Sequence, residues 1–212
     1  VLLSHNPIQP DYSNFTITNF NNMVGGNEIN YVNVPISEIK KYVKLALDAQ
    51  EPLWFGCDVG KYLNRTQGVL DMDLVNFDNI FDTDIKLNKK NRLLYNTSDI
   101  THAMLFRGYD NHTIQPDCKK TKKRRQRGGG ISGKTCKSKQ HISSNPVSKY
   151  LVENSWGKGE VDENIVMTGK YFEEYVYIVA IPKKVLSRKI INVSKGKPTR
   201  LELWDPFGYL LF

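Results

Sequence analysis

In one stretch of this chain the residues alternate with a period of two, the spacing at which side chains fall on opposite faces of a β-strand. From Ile100 to Asp110, His102, Met104 and Phe106 fall on one face and Ala103, Leu105 and Arg107 on the other. This is the pattern of a half-buried strand with His102 near its start. Pro52 to Asp58 is a compact, aromatic-rich run bounded by Pro52 and Gly60, too short for a helix, and reads as a buried strand. Strand character returns at Lys149–Ser155, at Asn164–Thr168 and, with Val, Tyr and Ile dominant, at Tyr175–Ile181. One segment breaks the rhythm: from Ile36 to Gln50 the apolar Ile36, Ile39, Val43, Ala46 and Leu47 keep helical spacing, with Pro35 and Ser37 at the start and Glu38 in the first turn. Residues 1–35, rich in Asn, Pro and Gly, read as loops and short extended pieces, and residues 61–98 are poorly periodic. The expected class is α+β: an antiparallel sheet or barrel with one clear amphipathic helix.

The totals exclude several classes of protein. With 212 residues, 40% hydrophobic and 25% charged, the chain can bury a proper core, and disorder throughout is not expected. Its three cysteines form no paired framework, which argues for a reducing compartment, and a cytoplasmic location is expected. No apolar run approaches the roughly 20 residues that span a bilayer, and the start, Val1-Leu2-Leu3-Ser4-His5, lacks the basic opening of a signal peptide. The chain begins without Met, so it is expected to be a piece of a longer polypeptide. Asn-X-Ser/Thr triplets at Asn14, Asn64, Asn96, Asn111 and Asn192 are what an Asn-rich chain makes by chance.

The formal charge of +8 is local. Ten basic residues and no acidic one lie between Cys118 and His141, and without them 20 basic face 22 acidic residues. The body of the protein is therefore nearly neutral, and residues 118–145 read as a basic, disordered insertion that cannot bury enough surface to offset its ordering entropy. A basic cluster such as Lys119–Lys139 can also contact phosphate non-specifically, so weak nucleic-acid binding is an alternative use of this segment. No aromatic residues interleave with the charges, which argues against a dedicated single-strand site. His112, Cys118, Cys136 and His141 lack the close Cys-x-x-Cys pair of a zinc site, and no metal or other cofactor is expected.

Candidates for chemistry come from two strands. His102 opens one, and Asn154 ends the other within Val152-Glu153-Asn154-Ser155-Trp156-Gly157. An amide oxygen that accepts one imidazole N–H fixes the tautomer and orientation of the ring, while the other ring nitrogen serves a nucleophile. Trp156 could cover that bond. On spacing alone a histidine beside a strand is more often structural. His5 and His112 sit in polar turns and His141 in the basic segment. Cys57 lies in an apolar run, where free cysteines behave as inert small hydrophobes.

As a set, the blocks at 54–61 (Trp-Phe-Gly-Cys-Asp-Val-Gly-Lys), 101–104 (Thr-His-Ala-Met), 152–157, 172–177 (Phe-Glu-Glu-Tyr-Val-Tyr) and 204–208 (Trp-Asp-Pro-Phe-Gly) closely resemble, in order, the C-terminal half of the bleomycin hydrolase family and its bacterial aminopeptidase relatives. Asn22-Met23-Val24-Gly25-Gly26 is similar to the same family. The resemblance covers the chain except its basic segment, and it implies one papain-like cysteine peptidase domain across residues 1–212. It implies that His102 partners a cysteine thiolate, that Asn154 orients the ring, that Trp156 shields the pair, and that the substrates are peptides. The nucleophilic cysteine and an oxyanion-hole glutamine belong to the other half of such a fold, so this chain alone is expected to be inactive. The family's tail enters the cleft, which makes residues 199–212 a gating tail and Phe212 the residue at its tip, bulkier than the small endings of the family. A homo-oligomer, a hexamer in the family, is likewise implied. The competing reading is a non-catalytic module that uses the old scaffold and the basic insertion to hold nucleic acid.

Overall fold

The computed structural model describes residues 1–19, 23–26, 28–75, 77–83, 86–111, 147–155 and 164–209. The strands are β1 (Leu2–Ser4), β2 (Ser13–Ile17), β3 (Asn30–Asn33), β4 (Leu53–Cys57), β5 (Leu63–Asn64), β6 (Val69–Leu70), β7 (His102–Asp110), β8 (Lys149–Glu153), β9 (Asn164–Thr168), β10 (Val176–Ala180) and β11 (Thr199–Leu201). The helices are α1 (Ile36–Asp48), α2 (Phe77–Phe81), α3 (Lys89–Leu94), α4 (Gly169–Tyr175), α5 (Arg188–Lys195) and α6 (Pro206–Tyr209), with a 3₁₀ turn at Lys183–Val185.

Among the described residues, the strands join one sheet in the order β11-β2-β3-β1-β10-β4-β7-β8-β9-β6-β5. Every pairing is antiparallel except β1 with β3, β2 with β11 and β6 with β9. The sheet separates two apolar clusters, as alternation along its strands requires: Leu3, Val32 and Val179 point into one, and their neighbours Leu2, Tyr31 and Ile178 into the other. The larger cluster lies under α1, α4 and α5, and the smaller one takes in Leu93 of α3 and Phe207 of α6.

The helix expected at 36–50 forms as α1 and buries Ile39, Tyr42, Val43 and Ala46, four positions on one helical stripe. It is the longest of the described helices. The others are short, and α4 (GKYFEEY) carries three aromatic residues rather than a periodic stripe, so neither length nor spacing announces it. Their starts are nevertheless written locally: Asn88, Thr168 and Ser187 each accept a backbone N–H from the first turn of α3, α4 and α5. Between sheet and helices, Phe55 stacks on Phe106 at 3.7 Å and Tyr150 on Phe172 at 4.6 Å. Each such buried ring contributes on the order of 2 kcal/mol from lost water contact.

Candidate active site

β4, β7 and β8 lie side by side in the middle of the sheet, and the two candidate residues sit at neighbouring strand ends: His102 is the first residue of β7, and Asn154 follows the last residue of β8. His102 Nε2 and Asn154 Oδ1 are 2.9 Å apart, a good hydrogen-bond length across 52 residues of sequence. The ring is half-buried and Asn154 is buried. Oδ1 is an obligate acceptor, so in this contact Nε2 donates, and the neutral ring carries its proton there. Nδ1 is thereby left as the basic nitrogen of the neutral imidazole. The Ser155 hydroxyl stands 3.4 Å from the same Nε2.

A β-bulge brings the pair together. Near the far end of β7, Tyr109 faces Tyr150 and Gly108 faces Leu151, but after the bulge Phe106 faces Val152 and Leu105 faces Glu153. The extra residue, Arg107, is exposed and reaches Glu153 at 2.9 Å. Because side chains alternate, one inserted residue reverses which positions face the core. Met104 and Phe106 and, beyond the bulge, Tyr109 all pack on the larger cluster. Continued past Glu153, the shifted register sets Asn154 opposite Met104, two residues and hence one same-face step from His102. The sequence reading, with strict alternation to Asp110, missed this shift; Gly108 beside a charged residue was its only local trace.

Cys57 stands opposite His102 in the register of β4 and β7. Its thiol is nevertheless fully buried, and desolvation, followed by the neighbouring Asp58 carboxylate, pushes its pKa up. It remains a protonated core thiol, the opposite of an activated nucleophile. His5 is held elsewhere, with Nδ1 at 3.2 Å from the Val34 carbonyl, and burial lowers its pKa to about 4. Trp156, Phe212, His112, Cys118, Cys136, His141 and the basic stretch Lys119–Lys139 lie outside the described residues. Among the described residues, no group of three or more His, Cys, Asp or Glu could hold a metal ion, and no helix is long and apolar enough to cross a membrane.

Sequence reasoning also passed over a set of polar side chains beside the site. Asp58, Ser98 and Thr101 bridge the end of β4 to the segment leading into His102. Their signal was modest: a carboxylate that directly follows an apolar strand and ends up 1% exposed.

The model of the Peptidase C1-like family matches residues 1–127 and 134–208. Human bleomycin hydrolase (Homo sapiens) is 33% identical over 198 residues, which cover 92% of this chain and 37% of that protein. Aminopeptidase C of Lactococcus lactis subsp. cremoris is 32% identical over 203 residues, covering 95% of this chain and 40% of its own length. The crystal structure of PepW from Lactobacillus rhamnosis superposes with a TM-score of 0.78 at 30% identity, covering 98% of this chain and 41% of that one. The chain thus spans about two fifths of the length of these relatives.

Proposed function

The chain belongs to the Peptidase C1-like family, and from that premise we propose that it supplies the histidine and asparagine of a cysteine aminopeptidase whose thiol comes from a segment outside these residues. The observation that carries this reading is the 2.9 Å contact between His102 Nε2 and Asn154 Oδ1.

In the proposed reaction Asn154 holds the ring so that Nδ1 meets the thiol and takes its proton. The thiolate attacks the carbonyl carbon of the first peptide bond of the substrate. The imidazolium then returns the proton to the departing amine, leaving an acyl-enzyme. In the second half the same nitrogen removes a proton from water, hydroxide displaces the thiolate, and the released residue carries the new carboxyl group. Trp156 is assigned to cover the His–Asn bond. The tail beyond Tyr209, ending at Phe212, is assigned to narrow the cleft toward peptide N-termini. Support for a fastened tail comes from Phe207, which is buried edge-on against Tyr31 at 5.9 Å.

The test is to express the chain joined to the cysteine-bearing segment encoded upstream of it. Thiol-dependent release of N-terminal residues from peptides, abolished in His102→Ala, is the expected result. Undiminished release in that variant would refute the assignment.

A further inference from the structure

Two pins fasten the segment that delivers His102. Asp58, the residue after β4, receives the Ser98 hydroxyl on Oδ2 at 2.8 Å and the Gly60 N–H on Oδ1 at 2.9 Å. Ser98 in turn accepts the Tyr177 hydroxyl at 2.8 Å. One residue further along, the Val59 N–H donates to the Thr101 hydroxyl at 3.0 Å, directly before His102. The backbone of Asp58 is itself held, since its carbonyl accepts the Tyr171 hydroxyl and its N–H donates to the Tyr175 carbonyl at 3.2 Å.

A second bulge aims this system. In the pairing of β10 with β4, Val176 faces Cys57 but Ile178 faces Gly56, so Tyr177 is the extra residue. As a result Tyr177 and Ile178, though consecutive, both enter the smaller cluster, while Val176 and Val179 enter the larger one. A regular strand would send Tyr177 to the opposite face from Ile178 and away from Ser98. The whole chain of groups is buried: Asp58 is 1% exposed, Ser98 2% and Tyr177 0%. A carboxylate taken this far from water persists only where its acceptor positions are used, and here they are spent on tying Ser98 and Gly60 to the end of β4.

From this arrangement we infer that the end of β4 positions the histidine: the Asp58 carboxylate through Ser98, and the Val59 N–H through Thr101, fix the backbone from which His102 reaches Asn154. The inference deepens the proposed function and rests on it. Neither pin touches the imidazole, so the network acts on where the ring sits and not on its chemistry.

The test reads the ring in the chain itself. With histidine labelled in ¹⁵N and the His102 signals assigned by their loss in His102→Gln, exchange of the His102 Nε2 proton with water is measured by NMR. The variants are Ser98→Ala and Thr101→Val, each of which removes one pin and leaves the Asp58 carboxylate in place, and Ile190→Val, which trims a remote core residue of α5. Loss of a pin is expected to speed exchange about tenfold or more, the scale of one hydrogen bond's contribution. Thr101→Ser, which keeps the hydroxyl, is expected to retain slow exchange, and so is Ile190→Val even where its Tm falls as far as that of the pin variants. Unchanged exchange in both pin variants overturns the positioning role and leaves the peptidase assignment standing. Fast exchange already in the unmodified chain would instead sink the His102–Asn154 pair, and the inference with it.

Discussion

Lys89, at the start of α3, is 4% exposed. Its ammonium donates to the carbonyls of Glu173 at 3.0 Å and Val176 at 2.6 Å, around the C-terminus of α4, and lies 4.7 Å from the centre of the Tyr177 ring. These contacts do not make up for lost hydration: burial, reinforced by the Arg92 charge and opposed by Glu174 and Glu173, lowers the Lys89 pKa from 10.5 to about 7. Above pH 7 the folded protein therefore sheds a proton that the unfolded chain keeps, and the contribution of Lys89 to stability rises with pH until the unfolded lysine also titrates. At 1.36 kcal/mol per pH unit, the gain between pH 7 and 8.5 is at most about 2 kcal/mol. Above that window the trend reverses, because Cys57 and buried tyrosines such as Tyr31 and Tyr150 have raised pKa values and hold protons that the unfolded chain loses. Urea unfolding followed by tryptophan fluorescence across pH 6.5–10 measures the curve, and Lys89→Met isolates the contribution. The variant loses two carbonyl contacts at every pH, which offsets its curve, but between pH 7 and 8.5 its slope should be flatter than that of the parent by the lysine's share. Parallel curves for parent and variant in this window would refute the reasoning.

In the polypeptide completed with its cysteine-bearing segment, His102→Ala should lower kcat for peptide release by roughly 10²- to 10⁴-fold, the range of general acid–base catalysis. Asn154→Ala should lower it by about 10- to 100-fold, since a bond to a charging ring is lost while the base remains. Asn154→Ala should also lower stability by about 1 kcal/mol, since the bond from His102 Nε2 to its Oδ1 is lost. Cys57→Ala should leave kcat unchanged and reduce stability by about 1 kcal/mol, as expected for a trimmed core thiol; loss of activity in a variant that folds normally would contradict its assignment to the core. Gly208→Ala would place a Cβ 2.8 Å from the Glu202 carbonyl and 2.9 Å from that of Leu203. It should loosen α6 at a cost of about 1–3 kcal/mol in urea unfolding.

Local chemistry left a clear record in the sequence. The alternation that marks β7, the apolar run of β4 and the stripe of α1 are each decided within a few residues, because burial on one face requires its own period. His102 and Asn154 stood out through the resemblance of the blocks that contain them to a known family, because on spacing alone a histidine beside a strand is more often structural. Other features depend on strands far apart in the chain. Which strands become neighbours is settled by packing across the sheet, and β7 meets β8 only once the intervening segment has been bridged. Beyond Gly108 next to Arg107, the extra residues at Arg107 and Tyr177 carry no local signature, since a bulge is defined by two strands together. These two shifts bring Asn154 to within 2.9 Å of the His102 ring and turn Tyr177 toward Ser98. The sequence by itself determined which side chains could do the chemistry, while the register between strands, which no single segment encodes, decided that they meet.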